Sequence, residues 1–220
     1  MRSYKQFCPA ARALEIVGER WTLLVVRELL VGPKRYTDLQ EELPGIGPNV
    51  LADRLRTLES AGVARRTRLP RPAASTVYEL TDLGAGLRPV LRDLFQWGLQ
   101  LLDTPAGDEM VKVSYWLPAI EAAARSAAVP EDLNEVYEFR VDDESITVAV
   151  RDGEIDVMHG PAPSPDLLVR TNAATLARLG RGHISARDAN DSGDLTFDGD
   201  AAVAERCAAL FATVASVPGA

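Results

Sequence analysis

The sequence predicts an α+β protein in two parts: a helix-turn-helix domain with a β-hairpin wing over residues 1–103, and an α+β sandwich over residues 104–220. Three observations lead to this prediction. Two short amphipathic helices are separated by a turn that contains proline and glycine, which is typical of a helix-turn-helix. Two short strands around an arginine-bearing loop follow, which is typical of a wing. The second half then alternates apolar and polar residues with a period of two, which predicts a mixed, largely antiparallel sheet with helices on one face.

The segment from Pro48 to Glu59 is predicted to be the recognition helix. Leu51, Leu55 and Leu58 recur at i, i+4 and i+7, so one stripe of this helix must face a core. Proline suits the first helical position, where its missing N–H costs nothing. The opposite face carries the polar side chains Asn49, Asp53 and Arg56.

Side chains expected at DNA come from three neighbouring places. They are Lys34, Arg35 and Tyr36 at the start of the first helix, Pro48, Asn49, Asp53, Arg54 and Arg56 on the second, and Arg65, Arg66, Arg68 and Arg71 in the wing. Asn49 and Arg56 suit adenine or guanine edges, while Asp53 would orient an arginine or exclude wrong bases. Arg54 would brace the helix or touch phosphate. Because strand neighbours alternate, only one or two wing arginines should reach DNA, and Lys34 to Tyr36 could be a merely solvated basic turn.

Several short motifs follow one another in order through the first half. They are Cys8-Pro9, Gly18 to Leu24, Leu29 to Leu39, Leu43 to Ile46, Asn49 to Leu55 and Tyr78 to Thr81. In this order they resemble the HxlR family of bacterial winged-helix transcriptional regulators, over roughly residues 5–100. The resemblance implies a regulator that binds double-stranded DNA as a homodimer paired through its terminal helices.

A long helix is predicted over residues 83–102, with Pro89 kinking or restarting it. Its apolar stripe is too broad for a surface helix of a small domain, and consists of Leu87, Leu91, Leu94, Trp97 and Leu101. We therefore expect it to form a dimer interface. The alternative is that it packs on the second domain of its own chain.

The sequence of the second half predicts a three-stranded meander at residues 135–141, 145–151 and 154–160. A strand at 166–171, helices at 173–179 and 183–191, a strand at 193–199 and a helix at 201–214 follow, with an earlier helix at 112–127. This order resembles the sterol-carrier-protein-like fold over roughly residues 108–216. The resemblance implies an apolar cavity, for which the candidate lining residues are Trp116, Ile120, Phe139, Val148 and Phe211.

Charge is distributed unevenly along the chain. Residues 1–103 hold 15 Lys or Arg against 12 Asp or Glu, whereas residues 104–220 hold 9 against 20. The first half can therefore approach DNA, while the acidic second half suits another task such as sensing. The sequence has neither a membrane-length apolar run nor a signal-peptide pattern, so we expect a cytoplasmic protein without a membrane partner.

The sequence contains no recognisable catalytic or metal-binding constellation. His159 and His183 have no cysteine or carboxylate at metal-ligand spacing, and no phosphate-binding loop is present. We therefore expect neither an enzyme nor a cofactor. Cys8 has two interpretations. Because its thiol lies beside Pro9 near the dimer-forming termini, it could act as a redox sensor. A partly buried small apolar residue is the simpler interpretation.

Together these patterns predict a homodimeric transcription factor that reads a two-half-site operator and is modulated by an apolar or amphipathic small molecule in its second domain. Two alternatives remain. The second domain could be a solid scaffold, with or without redox sensing through Cys8, or the protein could be a carrier of a lipid-like molecule. The clustered cations of the first half argue against the carrier.

Overall fold

The computed structural model describes residues 3–70, 74–102, 109, 112–116 and 129–212. The chain divides into two compact units, Met1–Leu91 and Arg92–Ala220, and each is described by itself. The predicted domain boundary between residues 103 and 104 stays a prediction, since residues 103–108 lie outside the described ranges.

The first unit has the predicted winged helix-turn-helix order. Its helices are α1 (Pro9–Val17), α2 (Thr22–Val31), α3 (Tyr36–Glu42), α4 (Pro48–Ser60) and α5 (Asp82–Ala85). Its wing is β1 (Ala64–Arg68) paired with β2 (Thr76–Leu80). A further helix, α6 (Arg88–Leu99), begins at the end of this unit. The core contains Val25 and Leu29 of α2, Leu39 of α3 and the leucines of α4. These apolar stripes hold the two helices of the helix-turn-helix at a fixed angle.

The long helix predicted over residues 83–102 restarts, which is one of the two effects expected of Pro89: it is broken into α5 and α6 at Gly86 and Leu87. Pro89 explains the break: it has no N–H to donate, and its ring would clash with the carbonyl of Ala85 in a continuous helix. In the first turn of α6 the same proline costs nothing. Thr81 caps α5, since its hydroxyl accepts a hydrogen bond from the Gly84 N–H.

The wing is attached to the helical part by backbone pairing. Lys34, between α2 and α3, donates its N–H to the Tyr78 carbonyl at 3.0 Å, and the Tyr78 N–H donates back at 2.7 Å. Thr81 donates its hydroxyl to the Gly62 carbonyl at the base of the hairpin. The wing is thus attached to the helical part through the middle of β2 and through the base of the hairpin.

The second unit has a mixed sheet in the order β5-β4-β3-β6-β7 among the described residues. Its strands are β3 (Glu135–Val141), β4 (Glu144–Arg151), β5 (Glu154–His159), β6 (Leu167–Thr171) and β7 (Leu195–Gly199), and its helices are α7 (Ala173–Gly180), α8 (Ala186–Asp191) and α9 (Ala201–Ala212). The β3–β4–β5 meander is confirmed as antiparallel, and β6 lies parallel to β3. The predicted α+β class is therefore confirmed.

Two helix predictions in this unit change. Residues 183–185 are not helical: the His183 N–H donates to the Arg178 carbonyl and so closes α7. Ser185 then starts α8 through a capping box with Asp188. Of the helix predicted over residues 112–127, a 3₁₀ turn at Val113–Trp116 is present, and residues 117–128 lie outside the described part of the chain.

Candidate nucleic-acid interface

The recognition helix α4 separates its two faces as the sequence predicts. Leu51, Leu55 and Leu58 are at most 1% exposed, because they anchor the helix in the core of the first unit. Asn49 and Arg56 are exposed on the other side. This side forms an open depression lined by Asn49, Val50, Ala52, Asp53, Arg54 and Arg56. A side-chain amide and a guanidinium on one open helix face are the groups that read base edges in a major groove.

The acidic residue of this face lies between two arginines. Asp53 Oδ1 is 3.2 Å from Arg56 Nη1, and Asp53 Oδ2 is 3.3 Å from Arg54 Nη2. The Arg56 side chain is 71% exposed, whereas that of Arg54 is 16% exposed. Arg54 is therefore largely buried and paired within the protein, whereas Arg56 projects outward.

The three residues at the start of α3 have different surroundings. Lys34 Nζ donates to the buried carboxylate of Glu28 at 3.1 Å, so its charge is largely satisfied inside the protein. The Tyr36 hydroxyl donates to the Pro48 carbonyl at 2.7 Å and links α3 to the first residue of α4. Arg35 remains more than half exposed and pairs with Asp38, and its hydrogen bond holds the pKa of the Asp38 carboxyl below its usual range. Arg35 is thus the cation of this group best placed for solvent or phosphate.

The wing arginines lie on two sides of the hairpin. Arg65 donates to Glu79 at 2.8 Å, and the Arg66 guanidinium stacks 5.4 Å from the centre of the Tyr78 ring. Arg68 is exposed on the same side of β1 as Arg66, two residues away. Arg71 lies outside the described residues.

We expect Glu79 to compete with DNA for the Arg65 cation, which it holds in this structure. Hydrogen bonds from the Thr67 hydroxyl and from Arg65 lower the pKa of its carboxyl, so it is fully ionised at neutral pH. Glu79→Gln keeps an oxygen for Thr67 but removes the charge. We expect DNA affinity to rise up to about tenfold at 0.1 M salt, with a steeper salt dependence, because one more cation becomes available to phosphate.

A salt-series titration on any duplex measures this change. Glu205→Gln, an exposed carboxylate on α9, is the matched control, since it alters the net charge equally outside the wing. Equal effects of the two substitutions would contradict a competition at Arg65.

The predicted dimer stripe divides into two parts. Leu91 is buried and Leu87 packs partly in the core of the first unit. Leu94, Trp97 and Leu101 are 43%, 61% and 66% exposed. This exposed apolar group of three residues is unusual on a surface and is the part of the stripe available to a partner.

The predicted cavity residues are only partly brought together. Phe139 and Phe211 meet edge to face, with ring centroids 5.1 Å apart and planes at 81°. Val148 is fully buried in the sheet. Ile120 and the side chain of Trp116 lie outside the described part of the structure. An aromatic pair therefore links β3 to the end of α9.

The two cysteines differ in access. Cys207 is buried in α9, and burial raises the pKa of its thiol to about 12. Cys8 is partly exposed immediately before α1. The guanidinium of nearby Arg12 pairs with Glu15 at 2.9 Å.

Sequence reasoning missed the buried carboxylate of Glu28. It is 1% exposed and accepts hydrogen bonds from the Arg27 and Lys34 side chains at 2.8 and 3.1 Å. A signal was present, since Glu28 lies three residues after Val25 and beside Leu29 on the buried face of α2. A charged residue at such a position requires internal partners.

Two protein families match separate parts of this chain. The family described as HxlR-like helix-turn-helix matches residues 16–105, and the SCP-2 sterol transfer family matches residues 119–212. The uncharacterised HTH-type transcriptional regulator YvaP of Bacillus subtilis is 34% identical over 99 residues, which is 44% of this chain and 92% of YvaP. The HTH-type transcriptional regulator YodB of the same organism is 33% identical over 97 residues, 44% of this chain and 87% of YodB.

Among solved structures, the reduced form of YodB covers 46% of this chain and 100% of its own, at 31% identity and a TM-score of 0.39. None of the described helices combines the length and the apolar character that crossing a membrane requires.

Proposed function

The chain belongs to the HxlR family of helix-turn-helix transcriptional regulators. From this premise we propose that it binds a specific two-half-site operator as a homodimer. We propose further that an apolar or amphipathic small molecule in the second domain modulates this binding. The observation that carries the first proposal is the pairing of exposed Asn49 and Arg56 on a helix whose opposite leucines are fully buried.

The proposed DNA contacts divide by role. Asn49 and Arg56 read bases, while Arg35, Arg66 and Arg68 contact phosphate or the minor groove. Lys34 and Tyr36 support the interface, because their side chains are used by Glu28 and by the Pro48 carbonyl. Pro48 sets the first turn of α4, and Arg65 reaches DNA when it leaves Glu79.

Dimerisation is proposed to use the exposed part of the α6 stripe. Two copies paired there would present two recognition helices, which read half-sites about 34 Å apart in successive major grooves. Trp97→Glu places a charge in this apolar surface and is expected to give a monomer. Because the second half-site then no longer adds to affinity, operator binding should weaken by about 100-fold or more.

Sedimentation and operator titration together test this proposal. Met158→Glu is the matched control, because Met158 is an apolar residue 51% exposed on the edge strand β5 of the second unit. The proposal is wrong if Trp97→Glu remains a dimer, or if it becomes a monomer with unchanged operator affinity.

The effector proposal rests on the match of residues 119–212 to a sterol transfer family and on the aromatic pair Phe139 and Phe211. A fluorescent fatty acid is a suitable probe. We expect it to bind the wild-type protein, to shift operator affinity, and to bind more weakly to Phe139→Ala. Binding of the probe without any change in operator affinity would favour the carrier or scaffold alternatives, since a ligand shifts an equilibrium only through differential affinity for the two states.

Redox control through Cys8 is a second candidate, favoured by the partial exposure of this thiol, whereas the Cys207 thiol is buried. We expect iodoacetamide to modify the folded protein once, at Cys8, and to reach Cys207 only after denaturation. A disulfide-forming oxidant should then change operator affinity in the wild type and not in Cys8→Ser. An oxidant response that survives in Cys8→Ser would exclude this thiol as the sensor.

A further inference from the structure

Four charged side chains form a chain that runs from the turn between α1 and α2 to the open face of α4. Glu19 Oε2 is 3.9 Å from Arg54 Nη1, and Arg54 Nη2 is 3.3 Å from Asp53 Oδ2. The other Asp53 oxygen is 3.2 Å from Arg56 Nη1. Exposure of the two arginine side chains rises from 16% at Arg54 to 71% at Arg56. The series thus starts at an exposed anion, Glu19, and passes from the largely buried cation Arg54 to Arg56, which projects into solvent.

We propose that Asp53 and Arg54 are positioning residues that determine base specificity through Arg56. This inference rests on the proposed function, since it assigns the source of discrimination within the same recognition helix. Arg54 holds one oxygen of the Asp53 carboxylate, which leaves the other oxygen aimed at Arg56. Arg56 is therefore oriented before it meets DNA and loses less side-chain freedom on binding than a free arginine does.

The carboxylate also defines which bases suit this position. Arg56 donates hydrogen bonds and fits the O6 and N7 acceptors of guanine. Asp53 only accepts, so it fits the N4 amino group of cytosine and is repelled by thymine O4 or guanine O6 placed next to it. The pair therefore favours a site in which guanine meets Arg56 and an amino-bearing base edge meets Asp53.

The same negative charge must weaken DNA binding in general, because it faces the phosphate-rich groove and partly neutralises Arg56. Positioning and repulsion thus give effects of opposite sign. Asp53→Asn should bind random DNA more tightly and discriminate less. A residue that only stabilised the helix would, on removal, weaken both kinds of binding.

The experiment uses the full-length protein and duplexes that the wild type selects from a random-sequence library, with scrambled duplexes for comparison. For Asp53→Asn we expect affinity for scrambled DNA to rise several-fold, up to about tenfold, and the ratio of selected to scrambled affinity to fall about tenfold. Glu59→Gln, a half-buried carboxylate in the last turn of α4, is the matched control. It removes the same charge and should leave the ratio unchanged.

Arg54→Met gives a second test, because it keeps the packing of the side chain and removes the anchor. For Arg54→Met, the ratio of selected to scrambled affinity should fall as it does for Asp53→Asn. The slope of log affinity against log salt concentration should stay at the wild-type value. A slope reduced by about one would mean instead that Arg54 contacts phosphate.

The outcomes separate the inference from its premise. If the wild type selects a consensus and Asp53→Asn keeps the full ratio, or changes no more than Glu59→Gln, the positioning role is wrong and the proposed function stands. If the wild type selects no consensus, operator reading itself is wrong and the inference fails with it.

Discussion

Glu28→Ala is expected to destabilise the first domain by about 3–5 kcal/mol, which is a large fraction of the roughly 5–15 kcal/mol by which an ordinary domain is stable. The carboxylate is 1% exposed and holds the Arg27 and Lys34 side chains, which are 18% and 17% exposed. Removing the carboxylate takes a close counter-charge from both cations in a low-dielectric surrounding, and the Glu42 carboxylate is more distant, at 3.9 Å from Lys34 Nζ. Lys34 also carries the backbone pairing to Tyr78, so the wing should loosen together with α2.

Denaturant titration followed by circular dichroism measures this loss, and Glu41→Ala is the control because Glu41 is exposed on α3. Glu28→Gln, which keeps an acceptor for Arg27 or Lys34, should give a smaller loss than Glu28→Ala. A destabilisation below about 1 kcal/mol for Glu28→Ala would contradict this account. The ion pairs of Glu28 would then contribute no more to stability than an exposed pair does.

Gly84→Ala is expected to cost about 4 kcal/mol or more, among the largest effects of a single methyl group. A Cβ at this position would lie 2.1 Å from the Val63 carbonyl oxygen and 3.0 Å from Leu80 Cδ2. The nearest atom is backbone at the base of the wing, so no side-chain rotation relieves the clash. The turn of α5 or the hairpin must move, and with it the hydrogen bonds of Thr81.

Gly98→Ala is the matched control, since a Cβ there meets no atom within 4 Å among the described residues. Alanine in an exposed helix should raise stability by up to about 1 kcal/mol. Thermal unfolding of both variants in the Trp97→Glu background keeps dimerisation out of the comparison. Similar melting temperatures for the two variants would contradict the close approach of α5 to Val63.

Local patterns were sufficient for much of the fold. The i, i+4, i+7 spacing of Leu51, Leu55 and Leu58 predicts the buried face of α4, and the period-two alternation predicts the meander of β3, β4 and β5. These features depend on residues close in sequence. Pro89 was recognised as a helix breaker, yet whether it kinks or separates two helices depends on the packing of Leu87 and Leu91.

Features set by contacts between distant residues were not predictable. The parallel pairing of β3 with β6 depends on where the chain returns after β5. The partners of the cations are equally non-local: Lys34 meets Glu28, and Arg65 meets Glu79 across the wing. Such pairings decide which of the basic residues remain available to DNA, and composition alone does not distinguish them.

The central claim is that α4 reads bases, and a salt-series titration of the promoter region beside the protein's own gene tests it most directly. Wild type and Arg56→Ala are each titrated against this duplex and against random DNA of equal length. We expect tight wild-type binding to the promoter with a steep salt dependence, and for Arg56→Ala a loss of about 1–3 kcal/mol on the promoter that removes its preference over random DNA. Weak binding that is equal for both proteins and both duplexes would contradict the claim.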